Sequence, residues 1–219
     1  MPRPRTASDE AILDAAYRAI SRLGPAKVTL ADVAAEAGLA AATLVQRFGS
    51  KRGLLLALCK LSMESVEACF AALRAEHESP IDALIAAASH MARHVTSPEE
   101  LANGLAFLQM DISDPEFRAI ALQNSKSLLA GYRRLIDEAV AAGELAPCDS
   151  RRLAQAVGSI SGGSLIAWAI VREGKADAWV RSDLSALLDP YRTKRRPARP
   201  RSRPIPTSGS LRRRTRRSS

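Results

Sequence analysis

The stretch TLADVAAEAGLAAATLVQRFGSK, residues 29–51, constrains the fold of this chain more than any other. Thr29 followed by Asp32 fits a capping box that opens a short helix, Leu30 to Ala37, with Val33, Ala34 and Ala37 facing inward. Gly38 then supplies the left-handed conformation in which a helix can end and turn sharply. A second short helix is predicted from about Ala41 to Phe48, anchored by Leu44 and Phe48 one turn apart and broken by Gly49-Ser50. Two short helices joined by a glycine turn form a helix-turn-helix when the second leaves its outer face free. Here that face is Ala41, Ala42, Thr43, Val45, Gln46 and Arg47, which combines small residues for close approach with donors suited to base edges or phosphates. Gln46 matches adenine, Val45 or an alanine methyl can touch a thymine methyl, and Thr43 and Arg47 can reach phosphates. Lys51, in the first turn of the next helix, is badly placed for the helix dipole and wants an anionic partner such as a phosphate. Thr29 can offer its hydroxyl and nearby backbone N–H groups to a second phosphate.

The flanking segments are helical as well. Ile12, Ala15, Ala16, Ala19, Ile20 and Leu23 share one helix face, with Ser8 as N-cap, acidic Asp9 and Glu10 at the positive end of the dipole, and Gly24-Pro25 as the stop. Ser50 caps a helix expected to run unbroken from Lys51 through Leu54, Leu55, Leu58, Leu61, Val66 and Leu73 to about His77. Pro80, Pro98 and Pro115 each follow Ser or Asp and mark further helix starts, the last helix running to about 142 before Gly143. Helices at about 150–173, closed by Gly174, and about 176–189, before Pro190, complete the chain. Aromatics make up only 4%, alanine and leucine dominate, and β-branched runs are short. The expectation is an all-α protein of about nine helices without strands or repeats.

Net charge is +9, distributed unevenly. Residues 1–60 carry 9 Lys and Arg against 5 Asp and Glu, residues 61–192 carry 12 against 18, and residues 193–219 carry 11 against none. The middle would repel a phosphate backbone, so the basicity belongs to the two ends. Beyond Arg192 the chain turns to Pro, Arg and Ser and is expected to be disordered, having too little apolar area to offset its ordering entropy. Such a basic segment can add sequence-independent DNA affinity. Cys59, Cys69 and Cys148 are too few and too scattered for a disulfide framework and read as free thiols in a reducing compartment. The start, MPRPRTASDE, lacks the apolar stretch of a secretory signal, and no window is expected to reach the apolar length of a membrane span. A soluble, cytoplasmic protein is expected.

Over residues 8–60 the sequence resembles the N-terminal domain of TetR-family transcriptional regulators. The resemblance is carried by the first helix, Thr29, the Ala37-Gly38 turn, the Thr43-Leu44 pair, Phe48, and Ser50-Lys51 before a leucine-rich helix. It implies a three-helix DNA-binding head, residues 1–52, on a helical ligand-binding and dimerising body, residues 53–192, with 193–219 as a basic tail. The family's phosphate contacts fall on Thr29, Thr43 and Lys51, and its reading contacts on Ala41, Ala42, Val45, Gln46 and Arg47. Three positions depart from the family habit: Ala40 replaces a Ser or Thr cap, Ala41 a polar residue, and Val45 a Tyr. The resemblance further implies a homodimer through the helices at about 150–173 and 176–189, where Gly158, Gly162 and Gly163 permit close approach and Leu165, Ile166, Trp168 and Ile170 supply bulk. A double-stranded, near-palindromic DNA operator, a small-molecule effector of unknown identity and effector-released repression complete the expectation, with no cofactor and no enzymatic activity.

Other constellations compete with this reading. Met63, Phe70, Met91, Phe107, Met110 and Trp168 have the adaptable side chains of a ligand cavity, and equally those of an ordinary core. His90 and His94 stand at metal-ligand spacing, but no third ligand completes the set, so neither a metal site nor a metal-dependent hydrolase is expected. Asp114, ahead of Pro115, reads as a helix cap rather than an acid–base group, and Asp111 lies in the same expected loop. A non-specific DNA-compacting protein driven by the tail is the remaining rival.

Overall fold

Ser8 accepts a hydrogen bond from the Ala11 N–H and opens α1, Asp9–Leu23, whose apolar face is buried through Ile12, Ala16, Ala19 and Ile20. In the computed structural model, which describes residues 7–193, every further element is also helical, and no β-strand occurs among the described residues. The order is α2 (Leu30–Ala37), α3 (Ala41–Phe48), α4 (Lys51–Glu64), α5 (Val66–Glu76), α6 (Pro80–Ala88), α7 (Pro98–Ser113), α8 (Pro115–Ala141), α9 (Ser150–Val171) and α10 (Ala176–Leu188). The three proline-marked starts stand where expected. Ser79, Ser97 and Asp114 each accept a first-turn N–H just ahead of the proline.

Two boundaries differ from the expectation. The single helix expected over 51–77 is two, because the Ser65 hydroxyl donates to the Ser62 carbonyl at 2.8 Å and competes with the helical ladder, leaving a turn between α4 and α5. The helix expected to reach 173 stops at Val171, because Arg172 takes a left-handed conformation (φ 61°), with its N–H donating to the Trp168 carbonyl. The indole N–H groups of Trp168 and Trp179 then bind the carbonyls of Gly174 and Glu173, pinning the α9–α10 turn.

Two apolar cores result. The first joins α1–α3 to Leu54, Leu55 and Leu56 of α4 and to Phe117 of α8. The second fills the body with Phe70, Leu84, Tyr132, Leu135, Ile136, Val157, Trp168, Val180, Leu184 and their neighbours. α8 is the spine, packing on α4, α6, α7 and α9, while α10 closes over α9.

α9 corrects one sequence expectation. It is 22 residues long and contains an 18-residue stretch with a mean hydropathy of 1.4, so it is long and apolar enough to cross a membrane by length and composition. Here its inner face, Leu153, Val157, Leu165 and Trp168, is buried against the body. The segment 193–219, expected to be disordered, lies outside the described residues except for Thr193. That residue is held at the α8–α9 loop, its N–H donating to the Glu144 carbonyl at 3.0 Å and its hydroxyl to the Gly143 carbonyl.

Candidate nucleic-acid interface

The turn between α2 and α3 is built from the backbone outward. Thr29 and Asp32 form the full capping box: the Thr29 hydroxyl accepts the Asp32 N–H, and the Asp32 carboxylate accepts the Thr29 N–H at 2.8 Å. Gly38 sits at φ 67°, its N–H reaching Ala35 while the Leu39 N–H reaches the Ala34 carbonyl, which closes α2 and reverses the chain into α3. α3 has no side-chain cap, since Ala40 offers no hydroxyl. Leu44 is fully buried and Phe48 half-buried, so α3 is fastened by one face. The opposite face, with Ala41, Ala42, Val45, Gln46 and Arg47, is exposed, Val45 by 50%, and Thr43 is half-buried at its edge.

Among the described residues, most basic groups of the head are engaged within it. Arg18 and Arg22 of α1 both reach Glu36 of α2, at 3.0 and 3.4 Å. Their effect is to hold α2 on α1; exposed pairs of this kind contribute little stability. Arg47 donates to the Ala7 carbonyl and pairs with Asp9 at 3.1 Å, which ties α3 to the start of α1. Lys51 finds its partner in the Ala26 carbonyl at 2.7 Å, bracing α4 against the turn after α1. The donor proton of the Thr29 hydroxyl goes to Asp32 at 2.7 Å. Thr29, through its side-chain and then its backbone hydrogen bond, holds the Asp32 carboxyl below its usual range. Thr29, Arg47 and Lys51 therefore each serve the architecture of the head, whereas Gln46 is exposed.

Sequence reasoning missed the seam between head and body. Arg52 pairs with Asp114 and Glu116 at 3.1 and 3.0 Å, and its guanidinium lies 5.2 Å from the centre of the Phe117 ring, which is buried in the head core. Asn103 of α7 donates to the Ser21 and Arg22 carbonyls at the end of α1. Gly53 allows the tight entry into α4, because a Cβ there would strike the Phe48 carbonyl oxygen. A lone glycine in a leucine-rich helix start was the signal available for it.

The six apolar pocket candidates are not brought together. Phe70 and Trp168 belong to the body core, the Phe70 ring standing edge-on to Tyr132 at 5.4 Å. Phe107 and Met110 pack against the head core, Met63 is half-buried, and Met91 is 67% exposed. Their separation follows from helix facing, which sequence spacing leaves open across different helices. One open groove, of about 670 Å³, runs between α8 and α9 past Arg133, Asp137 and Arg151, and another, of about 490 Å³, borders Phe70, Arg74 and Arg134. His90 and His94 do meet, ring to ring at 5.3 Å, with burial first and then His94 holding the His90 pKa down. No third ligand joins them among the described residues. Cys59 is a half-buried free thiol pushed up to about 11 by burial and by Asp111. Asp114 caps α8 as expected.

Comparison with known proteins places this geometry. Residues 12–58 match the sequence profile of the bacterial regulatory proteins of the tetR family. The HTH-type transcriptional regulator BetI of Agrobacterium fabrum (strain C58 / ATCC 33970) is 30% identical over 163 residues, covering 72% of this chain and 74% of that protein. Among solved structures, a TetR transcription regulator from Haloarcula marismortui ATCC 43049 aligns with a TM-score of 0.71 at 17% identity, over 84% of this chain and 98% of the other. FadR from Bacillus subtilis, solved in complex with stearoyl-CoA, aligns at 0.65 and 22%, over 83% and 98%.

Proposed function

The chain belongs to the TetR family of bacterial regulatory proteins, and from that premise we propose that it is a homodimeric repressor released from a near-palindromic operator by a small-molecule effector. The observation that carries the proposal is α3, anchored by Leu44 on one side and exposed along Ala41, Ala42, Val45 and Gln46 on the other. Its outer face is narrow enough in side-chain volume to enter a major groove closely. Gln46 reads a base, the methyl groups of Val45 and the alanines meet thymine, and Thr43 and the uncapped first-turn N–H groups of α3 meet phosphates. Thr29, Arg47 and Lys51 fix the angle at which α3 is presented, and any phosphate contact they make is additional to that role.

Dimerisation is assigned to α9 and α10. Ile166, Ile170 and Val171 are exposed on α9, and a Cβ at Gly162 or Gly163 would meet only open space, so a second helix can approach there. A two-fold dimer of this kind presents its two α3 helices about one turn of DNA, roughly 34 Å, apart. The head is taken as residues 1–52 and the body as 53–192, with Leu54, Leu55 and Leu56 carrying the head's core into α4. An effector releases DNA only if it binds the non-DNA conformation more tightly. The seam formed by Arg52, Asn103 and Phe117 supports transmission from the body, and Phe107 and Met110 are the pocket candidates nearest to it. A structural neighbour solved with stearoyl-CoA supports an effector-responsive reading without naming the effector of this chain. The protein is placed in the cytoplasm, acts on duplex DNA, and is assigned no catalytic step.

Selection of bound DNA from a random pool tests the proposal. A symmetric motif with half-sites one helical turn apart is expected, together with reporter repression in cells carrying that motif. An asymmetric motif, or no enrichment, overturns the operator reading. Reporter activation overturns the repressor.

A further inference from the structure

The inner face of α8 changes character along its length. It is buried at Phe117, in the head core, and again from Gly131 on, where Tyr132, Leu135 and Ile136 enter the body core. Between them, over residues 118–130 and about 20 Å of helix, every residue is half-buried or exposed. α4 repeats the pattern: Leu54, Leu55 and Leu56 are buried, as is Val66 at the start of α5, but nothing from 57 to 65 is. On α7 nothing after Leu101 is buried. α4 and α7 both pack on α8 and scarcely on each other. The result is a loosely covered furrow between the two cores, floored by α8 and bordered by Leu58, Leu61, Phe107, Met110 and Ile120. Protein interiors are otherwise close-packed, and an apolar seam left this open has the character of a ligand site.

Asn124 stands in the middle of the floor. Phe117, Asn124, Leu128 and Leu135 fall on one stripe of α8, and Asn124 is its one polar member. Its Oδ1 is buried and accepts no hydrogen bond among the described residues. A buried acceptor without a donor is a standing cost that a donating ligand removes. Asp111, on α7, lies close enough for its charge to act on the half-buried Cys59 thiol of α4. Burial pushes the Asp111 carboxyl above its usual range, and no hydrogen bond or opposite charge offsets this among the described residues. Both polar groups therefore lack a donor, and one of them carries negative charge. The surrounding body, residues 61–192, has 12 Lys and Arg against 18 Asp and Glu, which disfavours an anionic guest.

We propose that this furrow takes an amphiphilic amine: its alkyl part lies against Leu61, Phe107 and Met110, its ammonium donates to Asn124 Oδ1, and Asp111 supplies the opposite charge. This names an effector class for the body and rests on the effector-released reading above. α4 leads out of the head, and Asn103 of α7 holds the end of α1, so a molecule that parts α4 from α7 shifts the head.

The test uses the full chain, free of DNA, with n-octylamine, n-octanol and n-octanoate as probes. Octylamine raises the melting temperature and binds at least about tenfold more tightly than octanoate, with octanol between them. Asn124→Leu, free of probe, melts no lower than the parent chain, because the acceptor it removes had no donor. It holds octylamine at least about tenfold more weakly. Asp111→Asn narrows the preference for octylamine over octanol. A lower melting temperature for free Asn124→Leu means that the amide is satisfied within the fold and overturns the proposal, as does equal octylamine binding by parent and variant. Preference for octanoate overturns the ligand class. Release is measured separately on the operator recovered from the random pool: octylamine frees the parent chain from it, and amine binding that leaves operator affinity untouched overturns the effector role. If the pool yields no operator, octylamine binding by the free protein still reports on the furrow, so failure of the operator reading is distinguishable from failure of the site.

Discussion

Gln46 and Arg47 are neighbours on α3 with different surroundings. Gln46 is exposed, whereas Arg47 is bound to Ala7 and Asp9. Gln46→Ala is therefore expected to relax base preference at one position in each half-site, by about 1–3 kcal/mol for a bidentate contact. Arg47→Ala is expected to weaken binding evenly across operator variants, because it loosens the start of α1. Competition binding over a library of operator variants separates the two patterns, and the reverse assignment would make Arg47 the reader. Asp32 belongs to the same scale. Hydrogen bonds from Thr29 lower its pKa in the folded head, so its contribution is present above the ordinary carboxylate range and is lost as pH falls through the lowered value. Asp32→Asn is expected to flatten the acid side of the melting-temperature profile, and an unaltered profile would show that the capping box has no such linkage. Two of the three family departures, at Ala40 and Ala41, leave the α3 start without a cap or polar contact, so recognition rests on few groups.

At the scale of elements, the junctions between helices carry more than their interiors. At Gly53 a Cβ would collide with the backbone oxygen of Phe48, and no rotamer relieves a backbone clash. Gly53→Ala is expected to displace α3 from α4 and abolish operator binding while the far-ultraviolet helical signal persists. Operator binding that survives intact would mean the α3–α4 turn can open without consequence. In the body, a Cβ at Gly131 would sit 2.5–2.7 Å from ring atoms of Phe70. Gly131→Ala overpacks that contact and is expected to destabilise the protein by about 1–3 kcal/mol in urea unfolding. Its effect on base preference should be nil, since Phe70 lies in the body core.

For the whole molecule, the surface on which the proposed dimer depends is the outer face of α9. Ile170 is 76% exposed there, and α9 is the most apolar long helix. Ile170→Glu is expected to yield a folded monomer by sedimentation, with operator affinity reduced because one half-site is lost. A dimer of unchanged affinity would move the interface elsewhere. Among the described residues the arginines of the head meet Asp9, Glu36, Asp114 and Glu116, and the densest run of basic residues in the sequence is 194–219.

Local chemistry made much of this chain readable in advance. The Ser8 cap, the Thr29–Asp32 box, the left-handed Gly38, the burial of Leu44 and the proline-led starts at 80, 98 and 115 all depend on residues within a turn of one another, and their order along the chain is enough to place them. The exposed face of α3 followed from the same periodicity. Tertiary structure alone decided which charges are occupied: Arg47 is met from 38 residues away by Asp9, Lys51 from 25 away by Ala26, and Arg52 from 62 away by Asp114. It also dispersed the six apolar candidates between two cores and the surface, and ended α9 at Arg172 under the grip of two tryptophans. Periodicity gives each helix its inner face, but partners distant in sequence meet only once the helices have packed.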